Sequence, residues 1–228
     1  MALIATTVGS VGCKGSAQTE TATGSSAGAE ASRVESSLES HSDDEDLFVS
    51  SAAGFALRKP SSWHFMPTAW RSESLKNVDF KDDDFAELMK TYATEPLVMV
   101  VKHEETKETL NPTLQVVFRP LGQLERMSPE DVAKLSLEAM PQMYEDFEVV
   151  EDVESTEVGG HPAAHYATRF TLRNDAGATF PTLSDAWIVK RGAYLFMIGG
   201  SGPPDGEDAS RPELEAMVRS IVIEPLPP

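Results

Sequence analysis

Residues 184–200 read SDAWIVKRGAYLFMIGG, and this stretch decides the fold. Two apolar runs flank Arg191 and Gly192. A glycine in a two-residue loop tolerates the positive φ that a tight hairpin needs. The stretch therefore predicts two antiparallel strands that fold back on each other at Arg191-Gly192.

The predicted pairing makes both faces of this hairpin apolar. With Lys190 opposite Ala193 across the turn, Trp187 lies opposite Phe196 on one face. On the other face, isoleucine, leucine and methionine side chains follow the same alternation. A sheet that is apolar on both faces must be covered on both sides. We therefore expect an α+β fold in which helices sandwich an antiparallel sheet, a three-layer α/β/α arrangement.

The composition narrows the classes of partner. The formal net charge of −18 repels a nucleic-acid backbone, so we expect no nucleic-acid partner. Cys13 is the only cysteine, which rules out an internal disulfide bond and a thiolate metal cage. No apolar run reaches about eighteen residues, so the sequence predicts no membrane-spanning helix.

The N-terminal segment divides into a lead and a tether. Residues 1–13 are uncharged and end in small residues directly before Cys13. Residues 14–47 are rich in Ser, Gly, Ala, Thr and Glu and predict a disordered acidic tether, because they bury too little apolar surface to fold. The arrangement resembles the leader of a bacterial lipoprotein, although Ser10 replaces the usual aliphatic residue and the usual basic residues are missing. The resemblance implies a lipid on Cys13 and a cell-envelope location. There are two alternatives: the protein is secreted without a lipid, or it is cytoplasmic and its cysteine is incidental.

The rest of the chain contains further strand patterns and two well-marked helix starts. Ser128-Pro129 and Ser210-Arg211-Pro212 each place a capping hydroxyl and a proline before an amphipathic run, which predicts two helices. A flexible loop is predicted at the glycine-rich residues 199–206. The predicted strands outside the hairpin are residues 54–60, 96–103, 113–119, 148–157 and 162–173.

The order of elements over residues 48–226 resembles the PsbP-like proteins, which share a fold with the Ran-binding Mog proteins and the bacterial lipoprotein DcrB. The residues that carry the resemblance are the opening strand with Trp63 after it, the turn at 159–163, the central hairpin and the closing helix at 214–223. The resemblance implies a PsbP-like domain and, for most bacterial relatives, an exported protein without catalytic activity. The binding residues of the best-known relatives have no matching positions here.

Two motifs invite interpretation as reactive sites. Along a strand, His161 and His165 would be roughly 13 Å apart, too far to share one metal ion, and we expect both at the surface or at a sheet edge. Ser201 lies in a glycine run, but Pro203 stands where a nucleophile elbow needs its second glycine. We therefore predict no catalytic, cofactor-binding or metal-binding residues, and no cofactor.

The sequence leaves three hypotheses for function. The first is a non-catalytic, envelope-associated lipoprotein whose PsbP-like domain binds or supports another protein, with the membrane reached only through the lipid on Cys13. The second is a cytoplasmic or secreted protein-binding adaptor of the Mog type. The third is a small-ligand-binding protein or hydrolase with a cleft near Trp63 and residues 199–202. For a partner protein we expect contacts at Trp70 and His64. The partner and the oligomeric state are left open.

Overall fold

The computed structural model describes residues 40–41, 44–67, 96–104, 109–174 and 177–225. The predictions for Cys13 and Trp70, and most of the predicted lead and tether, lie outside these ranges. Among the described residues, no helix is long and apolar enough to cross a membrane. The strands are β1 (Ser40–His41), β2 (Leu47–Ser50), β3 (Phe55–Arg58), β4 (His64–Phe65), β5 (Val98–Val101), β6 (Thr113–Pro120), β7 (Glu145–Val158), β8 (His161–Arg173), β9 (Thr179–Arg191), β10 (Tyr194–Gly202) and β11 (Val222–Ile223). The same ranges contain two α-helices, α1 (Pro129–Met143) and α2 (Arg211–Arg219).

The described strands form two antiparallel sheets, and with the two helices they give a mainly β, α+β fold. The larger sheet has the order β4-β5-β6-β10-β9-β8-β7, and the smaller has the order β1-β2-β3-β11. Strands β9 and β10 lie near the centre of the larger sheet, as the apolar stretch predicts. Strand β1 pairs with β2 although Ser40 and His41 belong to the predicted tether.

The central hairpin has the predicted faces but a different register. Tyr194 pairs with Arg191, so the loop is Gly192-Ala193 rather than Arg191-Gly192, and Trp187 pairs with Ile198 instead of Phe196. Gly192 has a φ of 59°, which suits the first position of a tight hairpin turn. Each predicted partner is displaced by two residues. Because side chains in a strand alternate with a period of two, this displacement leaves every side chain on its predicted face.

Each face of the larger sheet packs into its own apolar cluster. One cluster combines Trp187 and Phe196 with Leu214 and Met217 of α2 and with Leu57 of the smaller sheet. The other combines the opposite face of the hairpin and of β8 with the buried side of α1. Both faces are therefore covered, as predicted. On the first face, however, a second sheet shares the covering with α2.

Residues 199–202 are the end of strand β10, and the prediction of a flexible loop there is wrong. They pair with β6 on one side and with β9 on the other. Their glycines reflect close packing: a Cβ on Gly200 would lie 3.4 Å from the Leu214 side chain, and one on Gly202 would lie 3.4 Å from Pro112. Glycine is typical both of loops and of places where two elements pack closely, so the sequence alone does not distinguish the two.

The two predicted helix starts differ in their capping. The Ser128 hydroxyl accepts a hydrogen bond from the Asp131 amide at 3.1 Å, which confirms the predicted cap of α1. Ser210 makes no such bond to the amides of α2. Its hydroxyl donates to the Asp208 carbonyl and accepts from the Lys102 ammonium. Ser210 therefore ties the start of α2 to the end of β5 instead of capping it.

Candidate functional site

A cluster of charged side chains lies on the α2 side of the larger sheet. Asp185 of β9 is at its centre, with a side chain only 2% exposed. Its Oδ1 atom accepts hydrogen bonds from His165 Nε2 at 2.9 Å and from Arg211 Nη2 at 2.8 Å. His165 comes from β8 and Arg211 from the first turn of α2, so the cluster joins the helix to two strands.

Two glutamates of β7 complete the cluster because the strand is bulged. Glu151 lies opposite Ala167 and Glu154 opposite His165, so three residue steps on β7 match two on β8. In a regular strand, residues three apart point to opposite faces; the extra residue brings both glutamates to the same face. Glu154 Oε1 is 3.6 Å and Glu151 Oε2 is 3.9 Å from His165 Nδ1.

The guanidinium of Arg211 fills the position that a cation would take in this cluster. Glu151, His165 and Asp185 bring one ligand atom each to within 4.8 Å of one another, which is compatible with a metal site. However, Arg211 Nη2 lies 2.7 Å from Glu151 and 2.8 Å from Asp185. Both carboxylates are thus paired with one arginine, and a metal ion would have to displace it. The arrangement favours an ion-pair network.

This network favours the protonated form of His165. Burial alone would lower its pKa, but the hydrogen bond and charge of Asp185, together with Glu151 and Glu154, outweigh burial and raise the pKa above the ordinary value of 6.5. Both ring nitrogens face carboxylates, so neither is directed at a hydroxyl or thiol that it could activate. The ring also packs against Trp187, with ring centroids 4.9 Å apart. This geometry suits a positioned charge better than a general base.

A pocket of about 530 Å³ opens beside the cluster, within the size range of ligand sites. Its two arginines are already paired, Arg211 as described and Arg219 with Glu215 at 3.4 Å. Glu154 is 69% exposed, and its only ion-pair partner among the described residues is His165. The pocket therefore offers an acidic wall. The lining residues are Glu151, Glu154, Thr156, Glu157, Val158, Gly159, His165, Trp187, Arg211, Glu215, Val218 and Arg219.

The structure corrects several site predictions. His165 is buried rather than at the surface or at a sheet edge, while His161, on the same strand, contacts the Ile223 carbonyl with its Nε2 at 3.2 Å. Trp63 is fully buried, and its indole N–H donates to Glu213. Ser201 is buried in the sheet, and its hydroxyl has no hydrogen-bond partner among the described residues. The structure therefore places Trp63 and Ser201 in the interior, and a cleft near Trp63 and residues 199–202 stays a prediction.

His64, predicted as a partner contact, is half-exposed on β4, and its Nδ1 lies 3.1 Å from the Glu104 carboxylate. Strand β4 is at the opposite edge of the larger sheet from β7. His64 therefore takes no part in the cluster around Asp185. Its role as a partner contact stays a prediction.

Sequence reasoning missed Asp185 and Arg211. The available signal for Asp185 was its position in an otherwise apolar central strand, because a carboxylate that is buried there needs a charged partner. For Arg211 the sequence indicates only a place in a helix start. Its distance of 26 residues from Asp185 along the chain gives no indication that the two side chains meet.

Comparisons with known proteins support the fold alone. No protein-family model matches this chain, and no curated protein matches it in sequence. Its structure is similar to the solution structure of cyanobacterial PsbP (CyanoP) from Synechocystis sp. PCC 6803, with a TM-score of 0.51 and 12% identity over 82% of this chain and 99% of that one. LpqN of Mycobacterium tuberculosis, described as involved in cell envelope biogenesis, gives a TM-score of 0.46 at 11% identity, covering 81% of this chain and 88% of that one. The fold is thus PsbP-like in its general arrangement.

Proposed function

We propose that this protein is a non-catalytic binding protein of the cell envelope, and that it recognises a basic segment of another protein through strand β7 and the adjoining pocket. The observation that carries the proposal is the charge of β7. Seven of its fourteen residues are Glu or Asp, and none is Lys or Arg. A cationic partner would be steered to this strand and held there, whereas nucleic acids would be repelled.

The chemistry of the cluster supports binding over catalysis. Both ring nitrogens of His165 already face carboxylates: Nε2 faces Asp185, and Nδ1 faces Glu154. Arg211 is paired with Glu151 and Asp185. A serine hydrolase would need its nucleophile hydrogen-bonded to a base. The described part of the chain gives Ser201 no such bond.

The envelope location and the layered fold belong to the same proposal. A lipid on Cys13 would anchor the chain, and the predicted tether ahead of β1 would give the binding domain reach. In this proposal the three layers of the α/β/α sandwich are α1, the larger sheet and α2. Detection of a diacylglyceryl group on Cys13 in the membrane fraction tests the anchor. A cytoplasmic chain that starts at Met1 would favour an adaptor of the Mog type, with the same binding site.

Charge reversal tests the binding site. The probe is a short, capped, fluorescent peptide that alternates lysine and threonine, and its affinity is measured by anisotropy at low salt. We expect Glu154→Lys to weaken binding about tenfold, because it removes one attraction and adds a repulsion. Glu45→Lys makes the same charge change at an exposed position between β1 and β2 and should alter affinity less than about twofold. Equal effects of the two variants, or no binding of the peptide, would contradict the proposal.

A further inference from the structure

Strand β7 is an edge of the larger sheet. It pairs with β8 on one side, and none of the described strands lies on its other side. An edge strand presents a row of backbone N–H and C=O groups without strand partners, and such a row can pair with another chain. With fourteen residues, β7 is the longest described strand, so it offers a long edge.

Apolar side chains are exposed on and beside this edge. Five large apolar side chains are exposed in the described part of the chain, and Val149 and Val150 of β7 are two of them, at 39% and 40%. Leu135, a third at 37%, belongs to α1, which packs against β7. Val149 and Val150 lie where the register with β8 shifts, and both leave apolar surface exposed along this edge. Surface of this kind is typical of a contact with a partner.

The same strand resists pairing with a second copy of itself. A second β7 would bring seven further acidic residues against the seven already present. The register also shifts between Glu145 and Glu154, and such bulges discourage edge-to-edge pairing. From Glu154 to Val158, by contrast, the pairing with β8 is regular. The edge is therefore open, over these five residues, to a strand of opposite charge.

We propose that the partner's basic segment adds to the sheet as a new edge strand alongside Glu154–Val158. Backbone hydrogen bonds to the outer edge of β7 hold the added strand. Its alternate side chains on the α2 side reach the acidic pocket beside Glu154, and its other side chains lie on the α1 side. This inference rests on the proposed function, since it assigns the way in which the same basic segment binds.

Methylation of backbone nitrogens in the peptide tests strand addition without changing its charge. One variant of the lysine–threonine peptide carries N-methyl groups at two successive odd positions. The other variant carries them at two successive even positions. In an added edge strand only one of these sets faces β7. We expect one variant to bind about tenfold more weakly or worse, since it loses two backbone hydrogen bonds, and the other to bind within about twofold of the parent peptide. The parent peptide should also slow the hydrogen exchange of amides in Glu154–Val158.

The outcomes separate this inference from the proposed function. If the parent peptide binds but both methylated variants bind equally well, the contact involves side chains alone; strand addition is then wrong while the proposed function stands. If the parent peptide does not bind, both fail. If Glu154–Val158 is protected without peptide, and the protection grows with protein concentration, a second copy occupies the edge and the inference is overturned. Loss of binding in one methylated variant, with protection only in the presence of peptide, supports it.

Discussion

Strand β9 carries two buried charges on one face, and the two are stabilised in different ways. Asp185 lies near the middle of the strand and Arg191 at its end, with Trp187 and Val189 between them on the same face. Both charged residues are buried. Asp185 is surrounded by ionisable groups and lies beside a pocket, whereas Arg191 makes its hydrogen bonds and ring contacts with neutral groups, and the Glu224 carboxylate adds only its charge.

Arg191 joins distant parts of the chain. Its Nη1 donates to the carbonyl of Ala53 at 2.7 Å and to that of Glu224 at 3.2 Å. Its guanidinium lies over the rings of Phe118 and Phe196. These partners are backbone carbonyls and aromatic rings, so the hydrogen bonds do not depend on the protonation of a neighbour, while the charge of Glu224 also favours the guanidinium cation. The contrast indicates that Arg191 serves the fold, while the Asp185 cluster combines stability with a charge that responds to pH.

The largest effect is expected from removing the centre of the Asp185 cluster. Asp185→Ala leaves His165 and Arg211 without their shared carboxylate, and breaking a buried ion pair costs about 3–5 kcal/mol. Denaturant unfolding measures this loss. Asp152→Ala removes the same charge from an exposed position on β7 and should cost less than about 0.5 kcal/mol. Similar losses in the two variants would mean that net charge, and not the cluster, is responsible.

A smaller loss is expected at Arg191. Arg191→Met retains much of the side-chain volume but leaves the Ala53 and Glu224 carbonyls without their donor, which costs roughly 2–3 kcal/mol. Thermal and denaturant unfolding both report it. Arg219→Met is the matched control, because the Arg219 side chain is 68% exposed and its pair with Glu215 should contribute less than about 1 kcal/mol. An Arg191→Met variant as stable as that control would refute the joining role.

The dependence of stability on pH also distinguishes the Asp185 cluster from Arg191. His165 faces Asp185, Glu151 and Glu154, with Arg211 beyond, and its pKa in the folded state is raised. The folded state therefore favours the protonated ring, and this stabilisation is fully present below about pH 6.5 and lost as the pH rises through the raised pKa. We expect the free energy of unfolding to fall over that interval. The fall should disappear in His165→Gln but persist in Arg191→Met, and a fall of equal size in both variants would refute the assignment.

The apolar pattern of the central hairpin was enough to predict both buried faces, although its register was wrong by two residues. The reason is the period of the strand: a slip of two moves each partner but leaves each side chain on its face. Glycines were ambiguous in a different way. Gly192 forms a turn, whereas Gly200 allows α2 to approach β10, and sequence alone does not distinguish these uses.

The candidate site was hidden because its geometry depends on an irregularity. Glu151 and Glu154 meet His165 only through the bulge in β7, which has no signature in the acidic sequence of that strand. The contact between Asp185 and Arg211 depends on how α2 packs across the sheet. Length, charge and periodicity therefore predicted the class of fold, whereas the cluster required the three-dimensional register.

The smallest effect is expected at a third buried polar group, Ser201, which lies opposite Ser184 across β9 and β10. Its hydroxyl is buried without a hydrogen-bond partner among the described residues, as are Arg191 Nε and Arg211 Nε, but the hydroxyl carries no charge. Removing an unsatisfied hydroxyl leaves no partner exposed, so Ser201→Ala should change the free energy of unfolding by less than about 0.5 kcal/mol, or stabilise the fold slightly. Denaturant unfolding provides the measurement. A loss above about 1 kcal/mol would reveal a hydrogen bond at Ser201 and would place it with the satisfied groups. A near-zero change would show that the uncharged Ser201 hydroxyl is tolerated in this sheet without a polar partner.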